Sequence, residues 1–203
     1  MFYSTADHHG LKHNPFKALI VPRPIGWISS ISADGHLNLA PYSFFNAVSD
    51  SPPVVLFAPN GEHTDGGYKD TYKNILETHE FVCNLVTWEL RDSMNVSSGD
   101  VSRETNEFDL SDLEYEPSEL VKPPRVKRSL AHFECRYLQT VQLPANSPGT
   151  TNNVVFGQVI GIHINDTIIK DGMINMQAFK PIARLGYFDY TTVDNIFSMQ
   201  RPT

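Results

Sequence analysis

The sequence predicts a mainly β protein, built as an antiparallel barrel, closed or half-closed, with two or three helices. Segments with strand patterns outnumber those with helix patterns, and short loops separate them. Two long runs, residues 131–143 and 153–164, alternate as strands do when their two faces meet different surroundings. This combination is typical of antiparallel barrels. The chain has 203 residues, and we expect one domain over residues 1–203 with its own core.

The first strands follow a lead-in over residues 1–22. Side chains alternate from Ile25 to Ile31, which predicts a strand. Residues 33–36 form a turn signal, in which Gly35 is free to adopt a positive φ. A second strand resumes at residues 37–39, so this part of the chain predicts a β-hairpin.

The next segments alternate between loop and core character. Residues 41–50 are both aromatic and polar, which a pure core segment would not be, and we expect an unusual loop there. Pro52 and Pro53 then introduce the apolar run 54–58, which predicts a buried strand. Residues 61–67 are polar and rich in glycine, as in a surface loop.

The middle of the chain carries the helical patterns. Residues 70–79 predict a helix with Asp70 as its N-cap. A strand over 80–87 and a second helix over 88–96 follow. Residues 99–125 are charged and rich in proline, which indicates a lid or a segment that wraps a second subunit.

The last third continues the β pattern. The two long strands are joined by a turn-rich loop at residues 144–152, and the chain ends with a mixed segment over 173–190. We find no internal repeat and no low-complexity tract.

Charge and composition exclude several function classes. The formal net charge is −7, which makes the protein a poor general ligand for nucleic acid or an anionic membrane surface. No apolar stretch approaches the roughly 20 residues that span a bilayer. The N-terminus lacks a basic segment followed by an apolar run, so it does not read as a secretory signal, and we expect a soluble cytoplasmic protein.

The cysteine and histidine residues do not indicate a metal site or a catalytic nucleophile. Cys83 and Cys135 fall in strand patterns and predict buried structural thiols in a reducing compartment. His8, His9 and His13 lie in the lead-in with no further ligand at a fixed spacing, so a solvated tail is the better interpretation and no metal site is expected.

Three segments, in order, carry the chemistry. They are Arg23-Pro-Ile-Gly-Trp-Ile-Ser-Ser30, Ala40-Pro-Tyr-Ser-Phe-Phe-Asn-Ala-Val-Ser49 and Lys69-Asp-Thr-Tyr-Lys-Asn-Ile75. Their order and spacing resemble the flavin reductase-like family of FMN-binding split barrels, and the match also takes in the later Phe156–Val159 and Ala183–Gly186 segments. The resemblance implies an antiparallel split β-barrel with FMN near a homodimer interface.

The residue types in these segments suit FMN. A phosphate needs hydroxyls, backbone N–H groups and a cation, and an isoalloxazine ring needs an apolar wall with polar groups at its edge. The hydroxyls of Ser29, Ser30, Ser43 and Thr71 and the amine of Lys69 meet the first need. The residues that the resemblance assigns to FMN are Trp27, Ile28, Ser29, Ser43, Phe44, Phe45, Asn46, Lys69, Thr71 and Asn74, with Arg23 and Arg184 as weaker additions.

Each assignment has a structural alternative. Trp27, Phe44 and Phe45 could pack in the core, Lys69 could be an ordinary exposed lysine, and Asn74 could bond only to neighbouring backbone. The run 97–100 resembles a phosphate loop superficially, but it lacks the lysine and spacing of one.

The resemblance implies a flavin reductase that passes a hydride from NADH or NADPH to flavin. Hydride transfer needs no side-chain acid or base, so no catalytic residue is named. Reductases of this kind often supply a monooxygenase partner or another redox acceptor. The alternative is an FMN electron carrier that never uses a nicotinamide directly; a scaffold that has lost its flavin is a third, weaker hypothesis.

Overall fold

A computed structural model describes residues 1–146 and 150–202. Its helices are α1 (Phe16–Leu19), α2 (Asp70–Thr78), α3 (Arg91–Val96), α4 (Glu107–Leu110) and α5 (Met176–Phe179). Its strands are β1 (Arg23–Pro24), β2 (Gly26–Ile31), β3 (Leu37–Tyr42), β4 (Phe45–Asp50), β5 (Pro53–Phe57), β6 (Glu80–Leu85), β7 (Tyr115–Glu116), β8 (Arg125–Val126), β9 (Ala131–Leu143), β10 (Asn152–Ile164), β11 (Ile169–Lys170), β12 (Met173–Ile174), β13 (Ile182–Arg184) and β14 (Tyr190–Thr192).

The centre of the fold is a seven-stranded antiparallel sheet in the order β3-β2-β6-β9-β10-β5-β4. Its two edge strands, β3 and β4, are joined by Ser43 and Phe44 alone. Seven flat strands would hold these edges roughly 29 Å apart. The connection spans at most about 11 Å. The sheet must therefore curl until its edges approach each other.

The mainly β prediction is confirmed, and the predicted hairpin is present as β2 and β3. The two long strands are present as β9 and β10. Within the loop predicted at 144–152, residues 147–149 lie outside the described residues. Helices are more numerous than expected because α1, α4 and α5 are single turns of four residues each.

The loop predicted over residues 41–50 is wrong. β3 continues to Tyr42, and β4 begins at Phe45 and pairs with β5. Of the three aromatic residues in this segment, Phe45 is the buried one, and its ring lies against the backbone of Gly26. An added Cβ at Gly26 would lie 2.5 Å from Phe45 Cδ2, so only glycine allows this approach.

Asp70 is not the N-cap of α2. Lys69 occupies the N-cap position and makes no side-chain capping bond. Asp70 lies in the first turn, where its carboxylate pairs with Arg103 and suits the helix dipole. The second predicted helix begins as a 3₁₀ turn at Trp88–Leu90 before α3.

Residues 99–125 pack against the protein's own sheet. Phe108 is fully buried in a core cluster with Trp27. The buried Glu134 carboxylate accepts the backbone N–H groups of Glu119 at 2.8 Å and Leu120 at 2.6 Å. The segment thus contributes to a core cluster, and wrapping of a second subunit is not needed to explain its apolar residues.

A second core cluster lies within the curled sheet and contains the two thiols. Cys83 and Cys135 are unpaired and buried, which confirms their structural interpretation. Burial and the adjacent Cys83 thiol raise the pKa of Cys135, so Cys135 stays protonated. In the described part of the chain, no helix has the length and apolarity to cross a membrane.

Candidate functional site

A groove opens where the start of α2 faces the edge strand β3. We call it the α2 groove, and its volume is about 100 Å³. The turn after α3 forms its outer wall. Its lining residues are Asn38, Ala40, Pro41, Tyr42, His63, Lys69, Asp70, Thr71, Ser97, Ser98, Gly99, Asp100, Val101 and Glu107.

The start of α2 gives one side of the groove an affinity for anions. The first N–H groups of a helix have no acceptor within the helix, and the helix dipole adds positive potential there. Lys69 precedes this turn, and its Nζ lies 3.6 Å from Asp100 Oδ1 on the opposite wall. The Asp100 side chain is 72% exposed, so it can move away from Lys69 at small cost.

Two other carboxylates in the groove are already engaged. Asp70 pairs with Arg103, and its Oδ2 lies 3.4 Å from His63 Nε2. Glu107 accepts a bond from Asn38 Nδ2 at 2.9 Å and another from the backbone N–H of Leu39 at 3.1 Å. Burial raises the pKa of Glu107, with a smaller contribution from the charge of Asp70. Lys69 therefore faces less net negative charge than the residue count suggests.

A buried polar network fixes α2 to the sheet beneath the groove. Thr71 Oγ1 and Ser30 Oγ both donate to Asn38 Oδ1, at 2.5 Å and 3.3 Å. Asn74 Nδ2 donates to Ser30 Oγ at 3.1 Å. Asn74 thus bonds to a side chain on β2 rather than to neighbouring backbone. The Thr71 proton is committed to Asn38, so Thr71 both lines the groove and anchors its helix.

Three predicted residues of β2 lie behind the groove. Trp27 is fully buried, and its Nε1 donates to Ser97 Oγ at 2.9 Å, which supports the groove's outer wall. Ile28 is a fully buried core residue. Ser29 Oγ donates to the carbonyl of Pro124 at 2.6 Å. None of these three side chains lines the α2 groove.

The segment after Tyr42 leads away from the groove along the gap between the sheet edges. Ser43 lines a smaller cleft of about 90 Å³ that shares Pro41 and Ser98 with the groove. Phe44 is half-buried, with Lys17 Nζ 5.8 Å from its ring centre. Asn46 is exposed on β4. Phe45 is 9% exposed and packs in the core.

The structure therefore brings Lys69, Thr71 and Ser43 to one continuous surface. Arg23, a weaker candidate, is 6% exposed and donates through its guanidinium to the carbonyls of Lys17, Ile20 and Leu185. Arg23 Nε reaches Ser43 Oγ at 3.5 Å, so Arg23 positions the segment that carries Ser43.

The outer wall of the groove is the part that sequence reasoning missed. Residues 97–100 lack the lysine and the spacing of a phosphate loop, so the sequence does not predict a place for them in the groove. In the fold, Lys69 from α2 stands opposite them. The only sequence signal was the Ser-Ser-Gly run that follows a helical pattern.

The donor set of the groove fits the phosphate end of FMN. It offers one ammonium group and the free N–H groups of a helix start. The hydroxyls of Thr71 and Ser98 also line the groove, but they donate to Asn38 Oδ1 and to the carbonyl of Asn95. Ligand sites that enclose a whole cofactor usually measure about 300–1,000 Å³. At about 100 Å³ the groove has room for the phosphate and part of the polyhydroxyl chain of FMN, and the flavin ring would lie outside the groove.

Comparison with known proteins places this geometry in a family. Residues 18–183 match the family described as the flavin reductase like domain. The chain belongs to the flavin reductase-like family. An uncharacterized protein of Aquifex aeolicus is 42% identical over 169 residues, which cover 83% of each chain.

Solved structures of similar proteins agree with the family. Nitrilotriacetate monooxygenase component B from Bacillus cereus is 27% identical, with a TM-score of 0.83 over 95% of this chain and 100% of that one. A Shewanella frigidimarina protein with a split barrel domain has a TM-score of 0.82 at 20% identity and covers 100% of both chains. The curled sheet of this family member is thus shared with solved relatives.

Proposed function

We propose that the protein is a cytoplasmic, homodimeric FMN-binding flavoprotein that transfers a hydride from NADH or NADPH to flavin. Its curled sheet would then be a split β-barrel that forms one domain over residues 1–203. The observation that carries the proposal is the placement of Lys69 and Thr71 at the start of α2, facing Ser98 across a groove of phosphate size, in a chain of the flavin reductase-like family.

The proposed pose places the phosphate of FMN in the α2 groove. Lys69 would leave Asp100 and bind a phosphate oxygen, and the free backbone N–H groups at the start of α2 would donate to the phosphate, while the hydroxyl of Thr71 keeps its bond to Asn38. The ring would follow Ser43, Phe44 and Asn46 along the gap between β3 and β4, as the family resemblance implies. Trp27, Ile28, Ser29, Phe45 and Asn74 then serve as the buried support of the site.

Bound FMN would supply the hydride-accepting ring, and the protein would supply its position. Lys69 holds the anionic end, and the buried network under Thr71 keeps α2 in place. Because the ring would lie along an unpaired sheet edge, a second surface is needed to exclude water from it. The chain's own exposed apolar positions, such as Val48 on β4 and Leu138 and Val141 on β9, fit the homodimer contact that would supply that surface.

A redox partner for reduced flavin is part of the proposal. The solved relative from Bacillus cereus is named as component B of a monooxygenase. We propose by analogy that this protein passes reduced flavin to a monooxygenase or another redox acceptor.

Anaerobic spectroscopy tests the function. Purified protein is saturated with FMN, NADH or NADPH is added in excess, and the visible absorbance of oxidised flavin is followed. Rapid bleaching, far faster than with free FMN, is the expected result. If the bound flavin stays yellow with both NADH and NADPH, the reductase proposal is wrong and the electron-carrier hypothesis replaces it. Failure to bind FMN at all would leave only the scaffold hypothesis.

A further inference from the structure

A second cleft lies beyond Ser43, on the side away from the α2 groove. We call it the arginine cleft, and its volume is about 410 Å³, within the usual range for small-molecule sites. It adjoins the Ser43 cleft through Met94, Arg184 and Tyr190. Its lining residues are Trp88, Arg91, Asp92, Met94, Asn95, Ile182, Arg184, Phe188, Tyr190 and Thr191.

Two guanidinium groups line this cleft, and each lies over an aromatic ring. Arg91 Cζ is 4.0 Å from the ring centre of Trp88, and Arg184 Cζ is 4.5 Å from that of Tyr190. A guanidinium at this distance is attracted to the face of the ring, and its N–H groups remain able to donate to a ligand.

Both guanidinium groups retain unused donors. Arg91 Nη1 donates to the carbonyl of Trp88, and its Nη2 contacts Asp92 at 3.2 Å. Arg184 donates to the Tyr190 hydroxyl and the carbonyl of Tyr187. Each guanidinium carries five N–H donors, so these contacts among the described residues account for fewer than half.

The counter-charge at this cleft is weak. Among the described residues, no carboxylate forms a salt bridge with Arg184, and the neighbouring charge of Arg184 contributes to a lowered pKa at Arg23, after burial. The partner of Arg91 is Asp92, whose side chain is 85% exposed and adjacent in sequence. A cleft with two cations and one mobile carboxylate attracts anions, although the chain as a whole carries −7.

Apart from Asn95 and Thr191, the remaining walls are formed by aromatic and apolar side chains. Met94 and Ile182 are buried beneath the cleft. Phe188 is 89% exposed and the Trp88 residue 45%, so large aromatic surfaces meet water here. A planar ring would cover that surface, while its carboxylate would match the planar N–H edges of the two arginines.

We propose that the arginine cleft binds a small aromatic carboxylate. The carboxylate group would bond to Arg91 and Arg184, and the ring would pack against Trp88 and Phe188. This inference goes beyond the proposed function, because none of the four residues lines the α2 groove and binding does not require FMN. Of the four, only Arg184 also lines the cleft that contains Ser43.

Titration calorimetry with benzoate tests the inference, on protein with FMN bound and on protein freed of FMN. The comparison ligands are benzamide, which lacks the charge, cyclohexanecarboxylate, which lacks the aromatic ring, and AMP, which carries a phosphate. We expect benzoate to bind in both preparations, at least about tenfold more tightly than benzamide or cyclohexanecarboxylate. We also expect it to quench Trp88 fluorescence, while the emission of the buried Trp27 is unchanged.

Two variants and a matched control complete the test. Arg91→Gln and Trp88→Leu should each weaken benzoate binding about tenfold. Arg128→Gln, which changes an exposed arginine outside the cleft, should not. Equal binding of benzamide, tighter binding of AMP at the same site, or wild-type affinity in Arg91→Gln would overturn the inference. Since the measurement is also made without FMN, a failure of FMN binding would not affect its outcome.

Discussion

Substitutions of Lys69 and of Asp100 should change the affinity for FMN in opposite directions. The Lys69 amine is held 3.6 Å from the Asp100 carboxylate, across the groove proposed for the phosphate. Removal of the amine should weaken FMN binding. Removal of the opposing charge in Asp100→Asn should strengthen it, because Lys69 no longer has to leave a partner and the phosphate no longer meets a nearby anion.

The two effects differ in size. A hydrogen bond to a charged group contributes about 1.5–3 kcal/mol, so Lys69→Ala should raise the FMN Kd by roughly 10- to 150-fold. An exposed ion pair contributes about 0.2–1 kcal/mol, so Asp100→Asn should lower the Kd by no more than about fivefold. In the Lys69→Ala background, Asp100→Asn should lower the Kd by a smaller factor, because it then removes only the repulsion between Asp100 and the phosphate.

FMN fluorescence quenching or calorimetry measures both effects at low and moderate salt. Lys73→Ala is the matched control, because Lys73 is exposed one turn along the same helix and does not line the α2 groove. The Lys69 effect should shrink as salt is raised. If Lys69→Ala and Lys73→Ala bind FMN equally well, the phosphate does not lie in this groove.

Three further predictions concern the stability of the fold. Thr71→Val should lower the free energy of unfolding by about 1–3 kcal/mol in denaturant titrations, because it leaves Asn38 Oδ1 without its closest donor, whereas Thr71→Ser should not. Gly26→Ala should cost about 1–3 kcal/mol through overlap with the Phe45 ring, and Phe45→Leu in the same chain should recover part of it. Burial lowers the pKa of His132 to about 4 from its ordinary 6.5, so the unfolded chain binds more protons between these values. Stability should therefore fall by roughly 3 kcal/mol as pH drops through that window, and His132→Gln should flatten the unfolding profile.

The local sequence pattern predicted those strands and helices that depend mainly on neighbouring residues. The β2–β3 hairpin follows from alternation on both sides of a turn, and β9 and β10 follow from long alternating runs. The helix α2 follows from its periodicity; its predicted start agrees with the structure, and its predicted end is one residue too late. The prediction of Asp70 as the N-cap is wrong. The carboxylate of Asp70 pairs with Arg103, and an ion pair between residues 33 positions apart leaves no local signal in the sequence.

The site was predictable only in part, because burial depends on contacts between distant segments. Lys69, Thr71 and Ser43 were found through the resemblance, and the fold brings them together. Ser29 has the right hydroxyl, but its bond to the carbonyl of Pro124 joins residues 95 positions apart. Asn74 likewise reaches Ser30 across 44 positions. No spacing rule along the chain could separate these supports from residues that face the groove.

Trp27 shows how a family motif and a groove wall are connected. Its indole is completely buried, yet its single N–H donates to Ser97, whose own hydroxyl donates to the carbonyl of Met94. This pair of bonds holds Ser97 in place and so positions the turn that carries Asp100 opposite Lys69. A phenylalanine at position 27 would fill most of the same volume but leave the turn without this bond. We therefore expect the tryptophan of the motif to act on the proposed phosphate site through the wall that it holds, rather than by contact with the flavin.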